Sequence, residues 1–333
     1  MSIRVAILGA SGFVGGELLR LCAAHPDLHC TRAFGASSAG KSVAELHPHL
    51  ALAYAEQKFA HYDAAMLDEC DLVFAALPHG ESQRLVDDII ARGLPLVDLG
   101  ADFRLNDADE YQHWYGEPHS RPDLLGSFVY GLPEFTRAKL AGAKRVAAPG
   151  CYPTAAALAL KPLIEAGLVE SNGIIIDAAS GVSGAGRGAA PYCAVEGNFR
   201  AYGLLDHRHT AEMKMMLGGE PMFTPHLVPM SRGILATCYA KAVTPCDPLA
   251  ILRDAYVGEP FVHVGEAPPE TKWASGSNAA FVTARYDERT GLVVALAAID
   301  NLGKGAAGQM IQCANLMLGL DESGGLSTMG IYP

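Results

Sequence analysis

No two cysteines of this chain form a C-x-x-C pair. The eight, at 22, 30, 70, 151, 193, 238, 246 and 313, show no ligand-like spacing either, which argues against a structural zinc or a disulfide framework. They read as reduced thiols. Runs of Lys and Arg are also missing. With 25 basic against 36 acidic residues the formal charge is −11, so there is no electrostatic footprint for nucleic acid or an anionic membrane. A phosphate-bearing small ligand must then be held by local groups. No stretch of 18 or more apolar residues offers a membrane span, and the chain runs directly into strand-like residues 3–8, leaving no room for a signal peptide. These absences predict a cytoplasmic protein. Repeats and low-complexity tracts are lacking too. What remains is half apolar and 18% charged, an ordinary globular composition, and 333 residues suggest two domains.

The first domain announces itself at once. A short strand pattern over residues 3–8 runs into Gly9-Ala10-Ser11-Gly12-Phe13-Val14-Gly15-Gly16 and then into a helical stretch over 17–24. The spacing is G-x-x-G-x-x-G, a variant of the dinucleotide fingerprint, in which glycines bring backbone N–H groups close to a pyrophosphate at a helix N-terminus. The second strand, near 29–34, carries no acidic residue at its end for a ribose 2′-hydroxyl. Instead Arg32 and the segment Gly35-Ala36-Ser37-Ser38-Ala39-Gly40-Lys41 suit a 2′-phosphate, which favours NADP. Further strands at 72–77 and 94–99, with a helix over 83–92 between them, predict a doubly wound parallel sheet. Leu77-Pro78-His79-Gly80 and Gly100-Ala101-Asp102-Phe103-Arg104 follow those strands, where ligands of such sheets collect. Arg104 either clamps an anionic substrate group or pairs with Asp102.

From residue 173 onward strands follow strands, at 174–178, 222–228, 234–243, 280–286 and 292–299, which argues α+β. The turn Asp287-Glu288-Arg289-Thr290-Gly291 suggests an antiparallel hairpin, and a last helix over 305–318 closes the chain, its apolar spacing allowing it to pack on the N-terminal domain. So much glycine in Ser180-Gly181-Val182-Ser183-Gly184-Ala185-Gly186-Arg187-Gly188 suggests backbone approaching a ligand.

The thiol most suited to chemistry is Cys151. Ala148-Pro149-Gly150-Cys151-Tyr152-Pro153-Thr154 sets it on a tight turn ahead of a helix-like run over 155–160, where unpaired N–H groups and partial positive charge favour the thiolate. The alternative for a lone cysteine is a small buried residue. His207-Arg208-His209-Thr210 precedes a helix over 211–217, with Thr210 as the expected N-cap and Glu212 in the first turn. A histidine within reach of the thiol can serve as base and acid, and either His207 or His209 fits. His207/His209 and His47/His49 are H-x-H pairs, but nothing in the spacing completes a metal set, so no metal is expected.

These motifs, with Tyr130-Gly131-Leu132-Pro133-Glu134, Ser231-Arg232-Gly233-Ile234 and Ala298-Ile299-Asp300-Asn301-Leu302, cover essentially the full length, and the chain resembles the N-acetyl-γ-glutamyl-phosphate reductases of arginine biosynthesis, relatives of aspartate-semialdehyde dehydrogenase. The resemblance implies an α/β Rossmann-like dinucleotide-binding domain over 1–150 with 303–333, and an α+β substrate and dimerisation domain over 151–302. It implies that the Cys151 thiolate displaces phosphate from an acyl phosphate and that NADPH reduces the resulting thioester, with His209 favoured over His207 for proton transfer. Cofactor contacts fall on Gly9, Ala10, Ser11, Gly12, Phe13, Val14, Arg32, Ser37, Ser38, Leu77, Pro78, Ser183, Gly184 and Asn301. Substrate contacts fall on Arg104, Ser180, Arg187 and Arg232, whose guanidinium groups suit phosphate and carboxylate. A homotetramer or homodimer is implied, without nucleic-acid or membrane partners. One departure is Ala211-Glu212-Met213 where the family has proline, glutamate and isoleucine, which removes a proline that pre-organises the first helical turn. Aminoadipate-type phosphates, a non-catalytic NADP-binding redox sensor and a metal-assisted hydrolase are the competing readings.

Overall fold

A strand buried on both faces reads as a continuous apolar run, and Val5 to Leu8 of β1 (Ile3–Leu8) are all buried. This computed structural model describes residues 2–188 and 192–333. The chain continues through α1 (Phe13–Ala24), β2 (Leu28–Phe34), α2 (Val43–Leu46), β3 (Leu72–Ala75), α3 (Ser82–Ala91), β4 (Leu96–Asp98), α4 (Ala108–Tyr115), β5 (Val129–Tyr130), α5 (Pro133–Leu140) and β6 (Arg145–Ala147). Six strands form a sheet in the order β2-β1-β3-β4-β6-β5, every pairing parallel. The strand order reverses between β1 and β3, so the carboxyl ends of those two strands, residues 9 and 76, open the crevice in which doubly wound sheets bind ligands.

The second sheet is built from a different pattern. It follows α6 (Cys151–Glu165) and comprises β7 (Ile175–Gly181), β8 (Arg200–Ala201), β9 (Met222–Val228), β10 (Ile234–Lys241), β11 (Val262–Val264), β12 (Ala280–Asp287) and β13 (Leu292–Ile299), with α7 (Tyr192–Val195), α8 (His209–Leu217), α9 (Pro248–Ala255) and α10 (Thr271–Ala274) between them. The order is β11-β12-β13-β10-β7-β9-β8, and it is mixed: β12/β13, β10/β13, β7/β10 and β8/β9 are antiparallel, β7/β9 and β11/β12 parallel. The expected hairpin is present, with Asp287 opposite Leu292 and Gly291 at φ +71°. Along β10, Ile234, Ala236, Cys238 and Ala240 are buried under α6, while Leu235, Thr237 and Tyr239 on the other face are partly exposed. Residues of α6 from Tyr152 to Leu160 are buried all round because the helix lies on the sheet and also meets α8 and α9.

After β13 a π-helical turn, Gly303–Ala307, leads into α11 (Gly308–Leu318). Met310, Ile311, Cys313, Ala314 and Met317 join the core of the first sheet. The chain divides into two compact units, one of residues 1–112, 117–149 and 306–326, the other of 113–116, 150–305 and 327–333. Residues 327–333, expected with the nucleotide-binding domain, group instead with the second unit, because Asn278 N–H donates to the Ser327 carbonyl (2.8 Å) and Ile331 N–H to that of Ser275 (2.7 Å). No helix among the described residues is long and apolar enough to cross a membrane.

Candidate active site

Cys151 is the first residue of α6, not a turn residue ahead of it. Gly150 is the N-cap and contributes no side chain; Pro153 fits because a first-turn residue would have no helical partner for its N–H. Thr154 closes the first turn on the Gly150 carbonyl (3.0 Å). Two missing side chains bring chain segments onto the cysteine. A Cβ on Gly305 would lie 2.8 Å from that of Cys151, and a Cβ on Gly150 would lie 2.4 Å from His209 Nε2. The His209 ring therefore rests on the peptide that enters the cysteine.

The two histidines have unlike surroundings. His209 begins α8, and the cap position belongs to Arg208, not Thr210. The reason is local: His207 Nδ1 accepts the His209 N–H (3.2 Å) and the His207 carbonyl accepts that of Thr210 (2.9 Å), so the imidazole does what a capping hydroxyl would have done. An acceptor nitrogen must be unprotonated. His207 is also enclosed by Tyr152, Tyr202 and Phe223, at ring separations of 5.7, 5.6 and 5.3 Å. Burial, and then the Arg208 charge, push its imidazole down to about 4. His209 instead has its Nε2 4.0 Å from Glu212 Oε1. Glu212 is fully buried, and its Oε2 accepts the Gly150 N–H (2.9 Å). One carboxylate thus faces the imidazole and anchors the residue before the thiol.

Around the far end of β7 the glycine-rich segment is held mainly by backbone. Gly181, Val182 and Ser183 donate to the carbonyls of Gly233, Met230 and Ser231, and a Cβ on Gly181 would sit 2.9 Å from Arg232 N. Asn301 joins the two segments, accepting the Gly233 N–H (2.7 Å) and donating to Ser183 Oγ (2.9 Å). A Cβ on Gly184 would stand 3.5 Å from Ser180 Oγ and 3.7 Å from Asn301 Nδ2, so these expected ligand residues form one cluster. Arg232 Nε pairs with Asp300 (2.9 Å), which is fully buried and also accepts from Gly276, Leu302 and Gly303. Arg187 lies exposed on the turn beyond Gly186, and the adjoining residues 189–191 fall outside the described chain.

In the first unit the glycine turn has the form a pyrophosphate requires. Gly9 adopts φ +77°, where a Cβ would lie 2.2 Å from the Ala76 carbonyl; a Cβ on Gly15 would lie 2.3 Å from the Gly9 carbonyl. Gly12 caps α1 with no side chain, so no side chain competes for the helix N-terminus. Ser11 Oγ would be 3.1 Å from a Cβ on Gly35, which brings the turn against the segment after β2, and Leu77-Pro78 follow β3 on the same edge. These residues fit a dinucleotide. Arg32, expected to meet a 2′-phosphate, lies within β2, opposite Ala6, and its guanidinium pairs with Glu69. Ser37 and Ser38 form a short 3₁₀ turn, Ser37 exposed and Ser38 buried. Arg104 is 6% exposed and donates to the Leu99 carbonyl (2.6 Å), while Asp102 accepts from Gly80 and Gln83 N–H (2.8 and 3.2 Å) and Tyr111 hydroxyl (3.4 Å).

Sequence reasoning passed over Glu212 as an anchor, Asp300 and Asp98. Asp98 ends β4, accepts from Ser82 Oγ and Gly100 N–H (2.8 Å each), and is pushed up to about 7 by burial and by nearby Asp102. A carboxyl at the end of a central strand was the available signal. Among the described residues no group of three His, Cys, Asp or Glu side chains could hold a metal.

The comparisons agree with this layout. Residues 4–143 match the family description "Semialdehyde dehydrogenase, NAD binding domain", and residues 151–301 match "Semialdehyde dehydrogenase, dimerisation domain". Among solved structures, aspartate semialdehyde dehydrogenase II from Vibrio cholerae superposes with a TM-score of 0.72 at 17% identity, covering 96% of this chain and 99% of that one. Aspartate semialdehyde dehydrogenase with NADP from Candida albicans gives 0.66 at 17% identity, covering 95% and 98%. Both are likenesses of fold. In sequence, the N-acetyl-gamma-glutamyl-phosphate reductase of Symbiobacterium thermophilum is 47% identical, covering 100% of each chain. That of Geobacter sulfurreducens is 45% identical over 99% of this chain and 100% of its own. The chain therefore belongs to the N-acetyl-gamma-glutamyl-phosphate reductase family of semialdehyde dehydrogenases.

Proposed function

We propose that the chain catalyses the NADPH-dependent reductive dephosphorylation of N-acetyl-γ-glutamyl phosphate to N-acetylglutamate 5-semialdehyde, with Cys151 as nucleophile and His209 as acid and base. The observation that carries the reading is the join at Gly150: a thiol on the first residue of α6, the His209 ring against the preceding glycine, and Glu212 bound to both elements. Cys151 Sγ attacks the acyl carbon; the S–C bond forms, the C–O bond to phosphorus breaks, and phosphate departs with that electron pair. His209 takes the thiol proton as the bond forms, and the buried Glu212 carboxylate stabilises the imidazolium. Bound NADPH supplies a hydride to the thioester carbonyl. The C–S bond then breaks, the aldehyde leaves, and His209 returns the proton to sulfur. Arg232, its fork oriented by Asp300, is the candidate for an anionic group of the substrate, with Arg187 and Ser180. Arg104, whose guanidinium donates to the Leu99 carbonyl, is a further candidate for an anionic group of the substrate.

The preference for NADPH over NADH rests on the segment after β2, which holds Ser37, Ser38 and Lys41 and no carboxylate. Arg32, engaged by Glu69, takes no part in this reading. The function is tested by following NADPH formation from semialdehyde, phosphate and NADP. Turnover must require phosphate, and N-acetylglutamate semialdehyde must outperform the aminoadipate analogue; activity without phosphate sinks the acyl-phosphate chemistry. In the same assay Ser37→Asp is expected to lower kcat/KM for NADP by about tenfold or more relative to NAD, through repulsion of the 2′-phosphate. An unchanged ratio would remove Ser37 from the cofactor site.

The open face of the second sheet supports a homo-oligomer. Cross-strand rows run Met222-Ile175-Tyr239-Val294 and Thr224-Asp177-Thr237-Leu296, all partly or well exposed, within the stretch that matches a dimerisation domain. We infer that a second copy covers this face. Light scattering should give at least a dimer, and Leu235→Glu with Leu296→Glu should shift it to monomer; a wild-type monomer would refute the reading.

A further inference from the structure

His47 belongs to an H-x-H pair that no metal set completes, and its chemistry lies elsewhere. A capping box between Ser42 and Glu45 starts α2, and His47 leaves that helix with its ring 2% exposed, whereas His49 is exposed. The ring turns onto the glycine turn. Its Nε2 is 3.0 Å from the Ala10 carbonyl, and a Cβ on Gly16 would lie 2.3 Å from its Cε1 and 2.6 Å from its Nδ1. Phe59 holds it edge-on from the side, at a ring separation of 6.0 Å. A carbonyl can only accept, so Nε2 carries the proton and donates.

The consequence for the turn follows from peptide geometry. Ala10 is fixed at both ends, its N–H donating to the Phe34 carbonyl (2.8 Å) and its carbonyl accepting from His47. In a planar trans peptide the C=O and the following N–H point in opposite directions. Drawing the Ala10 carbonyl toward His47 therefore turns the Ser11 N–H to the opposite side. We propose that His47 is a positioning residue of the dinucleotide site, holding the Ala10–Ser11 peptide in the orientation that presents the Ser11 N–H to the cofactor's pyrophosphate. This rests on the glycine turn being the dinucleotide site. Gly16 is part of the same device, since alanine is the better helix former at a position inside α1 and the three atoms nearest to the place its methyl would take all belong to the ring of His47.

The test is NADPH binding to the full chain, followed by nucleotide fluorescence without acyl phosphate, beside thermal melts. His47→Phe keeps a ring and loses the donor; the dissociation constant should rise about tenfold, the scale of one net hydrogen bond. His47→Gln retains an N–H and should stay within about threefold. Gly16→Ala should weaken binding as His47→Phe does, yet Gly16→Ala added to His47→Ala should cost nothing further, because the space is then open. Wild-type affinity in both His47→Phe and Gly16→Ala, whatever the melting temperatures, overturns the proposal and leaves His47 a packing residue. Should His47→Phe not fold, the Gly16→Ala pair decides alone. Failure of the wild type to bind NADPH is a separate outcome, which removes the dinucleotide reading itself.

Discussion

Cys151→Ser is expected to lose at least about 10⁴-fold in kcat while binding NADPH as the wild type does. The two side chains are nearly isosteric, so α6 and its packing should survive. The difference is chemical. At the start of α6 a sulfur nucleophile gives up its proton to a neighbouring imidazole far more readily than an alcohol does, and is the stronger nucleophile once it has. The thiolate is also the better leaving group when the thioester is reduced and the C–S bond must break. A second readout isolates the first half of the reaction: wild type mixed with acyl phosphate but no NADPH should gain the mass of one acyl group and release phosphate, and the variant should do neither. Retention of turnover within tenfold would exclude a thioester at Cys151 and return the residue to its bland role as a small partly buried side chain.

How much of this was legible beforehand depends on the range of the signal. The glycine turn and the hairpin at Asp287–Gly291 are local, and local chemistry reads directly from neighbouring residues, whereas the helix expected over 155–160 begins earlier, at Cys151 itself. The second sheet reads as at least partly antiparallel because strands follow strands there and Asp287–Gly291 is a hairpin turn; its parallel pairs, β7 with β9 and β11 with β12, have no such local sign. β5, β8 and β11, of two or three residues, carry no periodicity to read. What failed was pairing at a distance. Arg32 reads as a phosphate ligand, and nothing near it in sequence announces its ion pair with Glu69, 37 residues on. Nearer in sequence, Thr210 looked like a cap, and the side chain of His207, two residues before His209, supplies the acceptor instead. Glu212 looked like a dipole-balancing residue, and its bond to Gly150, 62 residues away, lies in no local pattern. That last partner is fixed by the packing of α6 on α8, a tertiary fact.

Separating the two histidines gives the other large effect. His209→Asn should lower kcat by about 10²- to 10⁴-fold with KM little changed, because proton transfer is lost: the Asn side chain ends short of the place that Nε2 and Cε1 occupy against Gly150. His207→Asn should cost less than about tenfold, since an amide oxygen can still accept the His209 N–H that His207 Nδ1 now receives. His207→Phe keeps the ring among Tyr152, Tyr202 and Phe223 but leaves that N–H without its acceptor, a loss of about 1–3 kcal/mol in stability rather than in the chemical step. The pH dependence follows the same division. His207 is held neutral in the folded chain, down to about 4 against an ordinary value near 6.5. The unfolded chain therefore binds the proton first, and the stability that His207 contributes is complete above about pH 6.5 and declines as pH falls through about 4. In His207→Asn that acid-side decline in melting temperature should shrink, and in His209→Asn it should persist while the rate is already lost. If His207→Asn instead abolished turnover with an unchanged melt, and His209→Asn did not, the imidazole that moves the proton would be His207, and the neutral, enclosed ring would have to be reached by the substrate itself.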